Sequence, residues 1–244
     1  MNSSVVDYDF AKAWDQHQGS FAHGIAQKLL SYGEVTNKNF KSVYDIVCGA
    51  SNLLSYFHEK GLKCYGTETR QGMYEYSKEK IPSATYYLTK KMYEMPGKEK
   101  VDLITCTHDI INYLEDFSEW ELLFKNVSKR LNKHGLFMFD FYSKYKLANW
   151  NETKYTSSPH LDCLTTVKSG IFDKTMITYQ YYINYENFYI KTKDVVTECY
   201  YEAEQVKEAL IKAGFKNVQF VDENLNPLES LNYVERIYVL ASKK

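Results

Sequence analysis

Two carboxylates and a histidine stand where an α/β chain does its chemistry. The apolar run Ser42-Val43-Tyr44-Asp45-Ile46-Val47-Cys48 gives way to small residues at Gly49-Ala50-Ser51. Small residues after a buried strand let the backbone approach a ligand closely, with the amides of the following helix behind it. Glu68 ends the next strand-like run, 23 residues after Asp45. A carboxylate at that interval, on the tip of the neighbouring strand, is placed to grip a ribose diol. His108 closes a third apolar run. An imidazole there can take a proton from an attacking amine or hydroxyl near neutral pH, and Asp109 beside it can orient the ring or hold a cationic amine. The competing reading of His108 is a ring that satisfies a loop carbonyl. Cys48 and Cys106 lie inside strand ends and are expected to pack rather than react. Tyr179, Tyr181 and Tyr182 fall in an alternating run, so one face is core and the other can close over an acceptor.

The elements that must position these residues follow a regular order. Residues 9–32 place Phe10, Ala13, Trp14, Phe21, Ile25, Leu29 and Leu30 at helical spacing, with Gly33 as the expected stop and Gly19-Ser20 as an expected interruption. Strands are predicted over 42–49, 62–68, 84–89, 101–108 and 135–142, and helices over 52–60 and 70–80. Another helix runs from a capping box at Ser118 and Glu121 to about Leu131. Strands alternating with ten-residue helices mean βαβ units and a parallel sheet covered on both faces. After Tyr142 the pattern changes. Three alternating runs over 163–201, with turns at Asp173-Lys174 and Glu186-Asn187, predict an antiparallel meander. A helix over 203–214 and strands over 218–222 and 236–241 then complete a seven-stranded sheet whose last member is antiparallel. The expected division is a core of 1–145 and 202–244, with 146–201 as an antiparallel β insertion serving as cap or dimer element.

Composition removes several classes. Of 244 residues, 44% are hydrophobic and 25% charged, an ordinary globular balance. The formal net charge of −1 gives no excess of positive charge for a phosphate backbone, so nucleic acid is not expected as a substrate. No run of eighteen apolar residues predicts a membrane span, and the acidic start is not read as a secretory signal. Five scattered cysteines without a C-x-x-C pair argue against a disulfide framework or a structural zinc site, and for a reducing cytoplasmic setting. Arginine occurs only at 70, 130 and 236, leaving 27 of 30 basic residues as lysine, a bias that the base composition of a genome can produce.

Several segments together resemble the class I S-adenosylmethionine-dependent methyltransferases, in particular small bacterial members with an antiparallel insertion before the penultimate strand. Phe10-Ala11-Lys12-Ala13-Trp14-Asp15 is similar to the family's F-A-x-x-Y-D element. Asp45 to Asn52 resembles D-h-G-C-G-T-G-N, and Gly66-Thr67-Glu68-Thr69 with Met73 resembles G-h-D-h-S-x-x-M. Asp102-Leu103-Ile104-Thr105-Cys106 with Asn112-Tyr113-Leu114 matches the fourth-strand segment, Gly135 to Asp140 the fifth strand, and Tyr238-Val239-Leu240 the closing strand.

The resemblance implies a doubly wound, mostly parallel seven-stranded Rossmann-like sheet and S-adenosylmethionine as cofactor. It implies cofactor contacts from Trp14, Asp45, Val47, Gly49, Glu68, Thr69, Met73, Lys91, Met92 and Thr107. Asp45 and Gly49 then face the amino-acid moiety, Glu68 the ribose hydroxyls and Met73 the adenine, while His108 is the candidate base near the methyl group. The partner is a small-molecule N or O nucleophile, with a homodimer through the insertion as a further possibility. Three positions depart from the family pattern. Val47 replaces a glycine and would be strained at positive φ, Ser51 replaces a second glycine, and Lys91 stands where an aspartate accepts the adenine amino group. They supply the alternative reading, a degenerate methyltransferase fold serving as a binding or regulatory partner. A nicotinamide enzyme is disfavoured because the loop lacks G-x-G-x-x-G.

Overall fold

The computed structural model describes residues 3–170, 174–184 and 188–243, apart from the side chains of 3–6 and 17–21. The core unit runs α1 (Ser3–Val35), β1 (Ser42–Asp45), α2 (Asn52–Glu59), β2 (Lys63–Glu68), α3 (Gln71–Lys80), β3 (Thr85–Leu88), β4 (Val101–Cys106), α4 (Phe117–Arg130) and β5 (Leu131–Tyr142). After α5 (Lys144–Asn149) come β6 (Glu152–Ser157), β7 (Leu161–Ser169), β8 (Lys174–Asn184) and β9 (Tyr189–Cys199). The chain returns to the core with α6 (Ala203–Lys212), β10 (Asn217–Val221) and β11 (Arg236–Ser242). The large sheet has the order β10-β11-β5-β4-β1-β2-β3. Strands β1 to β5 pair in parallel, and β11 is antiparallel to both neighbours. This is the predicted doubly wound sheet. Because strand order reverses between β1 and β4, a crevice opens beyond their carboxyl ends.

Alternate residues of each strand feed opposite layers. Val43, Leu103, Met138 and Leu240 pack with Leu29 of α1 and with Leu54 and Phe57 of α2. Tyr44, Ile104, Phe139 and Val239 pack with Trp120 and Phe124 of α4 and with Leu210 of α6. A third cluster lies outside this sandwich. Phe10, Ala11 and Ala13 of α1 meet Leu161, Cys163, Tyr181 and Ile183 of the insertion sheet, with Ala50 and Met73 at its edge. One helix therefore serves both units, its later turns packing on the core and its earlier turns on the insertion. The close passage requires Gly72, where a Cβ would stand 2.3 Å from the backbone of Asp7.

Several local expectations are corrected. The first helix runs through Gly19-Ser20 and past Gly33. It ends in a Schellman turn, with Asn37 at φ 56 and the amide of Lys38 donating to the Gly33 carbonyl at 2.7 Å. The cap of α4 is Asp116, whose carboxylate accepts from Ser118, rather than a box at Ser118 and Glu121. Glu121 instead pairs with Lys212 at 3.0 Å. Strand β5 begins at Leu131, four residues before the predicted start, because a register shift lets Gly135 lie within it. The insertion has four strands, in the order β6-β7-β8-β9. The unpredicted β6 is almost wholly exposed, and its sequence ETKYTS carries no apolar alternation to reveal it. Of the predicted turns, Asp173, Glu186 and Asn187 lie outside the described residues. No described helix is long and apolar enough to cross a membrane.

Candidate active site

A cavity of about 890 Å³ opens beyond the ends of β1, β2 and β4 and is roofed by the inner face of the insertion. That is the upper part of the range for small-molecule and cofactor sites. Two turns form its floor, and each is laced to a neighbouring strand through a buried carboxylate.

The first follows β1. Val47, Gly49 and Ser51 all adopt left-handed backbone, at φ 53, 55 and 57, which costs a non-glycine residue about 1–2 kcal/mol. The tip of β2 laces the turn down. The Val47 amide donates to Thr67 Oγ1 at 3.2 Å, the Cys48 amide to the Thr67 carbonyl at 2.8 Å, and the Gly49 amide to Glu68 Oε2 at 2.8 Å. The other oxygen of Glu68 accepts the amides of Thr69 and Arg70 at 2.6 and 3.0 Å. Burial pushes the carboxyl of Glu68 up in pKa, and these amides oppose it. Asp45, accepting from Thr105 Oγ1 at 2.6 Å, is pushed up to about 7 by burial and by neighbouring Glu68. Helix α2 starts at left-handed Ser51 with no side-chain cap, so its first amides are available to an anion.

The second turn follows β4. His108 and Asp109 are left-handed at φ 66 and 52, and here the lacing comes from β5. Asp140, fully buried, accepts the His108 amide at 2.9 Å and the Asp109 amide at 3.0 Å, one on each oxygen. Arg236 of β11 bridges Asp140 and Asp109, donating to both carboxylates. Burial lowers the pKa of His108, keeping the ring neutral at physiological pH. Glu198 of β9 lies in the same cluster with 0% exposure, and among the described residues no N–H or hydroxyl donor reaches either of its oxygens. Burial first, and Asp109 second, push its carboxyl far up.

All the sequence-predicted site residues except Lys91 line this cavity: Trp14, Asp45, Val47, Gly49, Glu68, Thr69, Met73, Met92, Thr107 and His108. Lys91 is exposed and is not among the lining residues. Its backbone amide points to Glu94 at 3.4 Å. Asp109 is also in the wall, but its carboxylate is engaged by Arg236. Tyr179 and Tyr181 line the cavity, whereas Tyr182 packs against Tyr189. The cysteines, including Cys48 and Cys106, carry buried free thiols, and burial raises both of these well above the ordinary thiol range.

Sequence reasoning missed Arg70, Arg236, Asp140 and Glu198. Arg70 ties three elements together: its guanidinium lies 4.7 Å from the Phe10 ring centroid and binds Asp7 at 2.6 Å and Asp194 at 3.1 Å. The signal for the arginines was their rarity in a lysine-rich chain. The signal for Glu198 was a carboxylate in phase with the inward-facing residues of an alternating strand.

The residues present fit S-adenosylmethionine. The buried pair Asp45 and Glu68 suits a ligand carrying positive charge, and the uncapped start of α2 suits a carboxylate. The thioethers of Met73 and Met92 suit an apolar ring. A Cβ at Gly49 would meet nothing within 4 Å, so the turn borders open space.

Comparison with known proteins agrees with this geometry. Residues 44–139 match the family model described as a methyltransferase domain. A candidate methyltransferase of Geobacillus sp. (strain WCH70) is 25% identical over 236 residues, covering 90% of each chain. A solved S-adenosylmethionine-dependent methyltransferase from Clostridium acetobutylicum superposes with a TM-score of 0.81 at 22% identity, over 90% of this chain and 91% of that one. The sugar N-methyltransferase KedS8 from Streptoalloteichus sp. superposes with a TM-score of 0.74 at 16% identity, over 92% and 88%.

Proposed function

We propose that this chain, a class I S-adenosylmethionine-dependent methyltransferase, transfers a methyl group to the amine of a small molecule. The observation that carries the reading is the far half of the cavity, where aromatic rings surround an acidic floor. Tyr113, Tyr142, Trp150 and Tyr179 line that half with Asp109. Behind Asp109, three carboxylates (Asp109, Asp140 and Glu198) face one guanidinium, that of Arg236. Ring faces and excess carboxylate both attract a cation. A neighbour of the same fold is described as a sugar N-methyltransferase, which agrees with an amine acceptor.

In this reading Glu68 holds the ribose of the donor, Met73 and Met92 its base, and Asp45 with the β1 turn its amino-acid end. The bound donor supplies a sulfonium methyl, an electrophile that is already activated, so the protein has to align the acceptor and exclude water. Neutral His108 stands in the cavity wall as a hydrogen-bond acceptor that orients an N–H of the attacking amine. The roof of β7, β8 and β9 leaves room for a small acceptor rather than a polymer. Five free thiols suit the reducing cytoplasm. A second copy of the chain would dock on the outward face of the insertion, where Tyr155 and Val195 are exposed. Sedimentation showing a monomer at micromolar concentration would remove that element.

The strained β1 turn also speaks against a fold that has lost its donor. Left-handed Val47 is held by Thr67, and left-handed Ser51 by its amide donating to the Cys48 carbonyl at 2.9 Å, and such strain is typical of working sites. Calorimetric titration with S-adenosylmethionine and S-adenosylhomocysteine tests the donor half. Glu68→Ala, with its fold confirmed by circular dichroism, is expected to weaken donor binding by about 2–3 kcal/mol, roughly 30- to 150-fold. No binding to the folded wild-type protein sinks the reading. Transfer of labelled methyl to a panel of amino sugars and their hydroxy analogues tests the acceptor half, and methylation of the hydroxy compounds alone would overturn the amine assignment.

A further inference from the structure

An amine dissolved near neutral pH is mostly ammonium and has no lone pair to attack with, so a proton must leave before methyl transfer begins. His108 is a poor recipient for it, because burial makes the ring a weaker base than free imidazole. The adjoining carboxyl cluster holds a better one. Asp109 reaches the cavity wall. Glu198 is sealed behind it, wholly buried, and among the described residues no N–H or hydroxyl donor reaches either of its oxygens. A buried carboxyl without partners is costly in either charge state unless it shares a proton with a neighbour. Asp109 is that neighbour, because Asn112 ties the two segments together: its backbone amide donates to the Asp109 carbonyl at 2.9 Å and its side chain to the carbonyl of Cys199, next to Glu198, at 2.8 Å.

We propose that Asp109 and Glu198 form a carboxyl pair that shares one proton in the resting enzyme and takes a second from the acceptor ammonium. The inference rests on the amine reading above. In the step, an N–H bond of the ammonium breaks and an O–H bond forms on Asp109, while the nitrogen keeps the electron pair with which it attacks. The pair passes from one proton to two and returns one to solvent after the product leaves. Asp109 is the residue that touches the acceptor. Glu198 is a positioning residue that acts through it.

The surroundings agree with a pair of high proton affinity. Arg236 and Asp140 face it from β11 and β5, and the guanidinium offsets one of the three carboxylates. The other titratable neighbours are Tyr113, Tyr142 and Tyr179, whose phenols burial raises, and the thiols of Cys106 and Cys199. All of these are neutral through the physiological range, so among the described residues near the pair Arg236 supplies the positive charge.

Carbon-13 NMR of protein labelled at its Asp and Glu carboxyls, titrated from pH 5 to 10 without ligand, reads the pair directly. One carboxyl is expected to stay protonated above pH 7.5 and to vanish from the spectrum of Glu198→Gln. Glu198→Leu serves as a second variant of similar bulk. Persistence of that resonance in both variants, or its absence from the wild type, overturns the pair. The same titration is then run on complexes with S-adenosylhomocysteine and with sinefungin, which carries an ammonium where the transferable methyl stands. The sinefungin complex is expected to titrate at lower pH, by about one unit, because the nearby cation favours the ionised pair. Identical titrations in the two complexes would overturn the link to the acceptor while leaving the donor site intact. Failure of both ligands to bind would remove the methyltransferase reading on which the proposal stands.

Discussion

The two turns on the cavity floor are built to one plan and stabilised by different means. Each follows a parallel strand, each contains consecutive or alternating left-handed residues, and each is held by a carboxylate on the next strand: Glu68 of β2 for the β1 turn and Asp140 of β5 for the β4 turn. Glu68 is held by three backbone amides and, at 3.4 Å, the Thr69 hydroxyl, and all these partners lie between residues 49 and 70. Asp140 needs a guanidinium as well, and its partners come from the turn after β4 and from β11, up to 96 positions away along the chain. A site made from backbone geometry can be compact in sequence. A site made from side-chain charge is assembled from wherever the sheet order brings the strands.

That contrast can be broken experimentally. Arg236→Met leaves Asp109 and Asp140 buried without their cation, and removing one partner of such a pair costs about 3–5 kcal/mol. At roughly 2–4 °C per kcal/mol for a chain of this size, the melting temperature is expected to fall by about 10 °C. A drop under 2 °C would mean that the β4 turn is self-sufficient like its counterpart.

Glu198→Gln sharpens the same comparison through pH. The folded-state pKa of Glu198 is raised from the ordinary carboxylate range to about 9, so the folded protein binds the proton more tightly than the unfolded chain. Its contribution to stability is fully present below the unfolded value of about 4.5 and is lost as pH rises through the folded value. Wild-type stability is therefore expected to fall between pH 5 and 9 by up to about 1.4 kcal/mol per pH unit from this group. Denaturant unfolding of the Gln variant should show a flatter profile. Equal slopes would place the titration elsewhere.

The smallest effect belongs to the β1 turn. Val47→Gly relieves left-handed strain of about 1–2 kcal/mol but adds unfolded-chain entropy of about 0.5–1 kcal/mol. A net gain of about 1 kcal/mol in thermal or denaturant stability is expected. A loss would show that the Val47 side chain packs more than its backbone strains.

The same contrast explains what could be read from the sequence. The sheet was legible because buried parallel strands and their helices announce themselves within ten residues. Val47 was recognisable as a strained position, and Glu68 as a strand-tip acid, because both belong to short contiguous segments. Arg70, Arg236 and Glu198 were not, since their roles appear only when α1, β9 and β11 converge. Strand β6 was hidden for a different reason: with most of its residues in solvent it has no apolar face to impose a period. Asp116 displaced the expected capping box because a carboxylate two residues earlier was already placed to accept the first free amide of α4.

The first helix sets a schedule for synthesis. At 33 residues it is about 50 Å long and leaves the ribosome before anything it packs on. Its later turns soon meet α2 and β1, but Phe10, Ala11 and Ala13 must wait for Leu161, Tyr181 and Ile183. At about 5–20 residues per second that wait lasts roughly ten to thirty seconds. Throughout it the apolar stripe of the nascent chain is open to chaperones or to another copy, so any slowing of translation across the insertion is expected to lower the yield of soluble protein before it changes the finished fold.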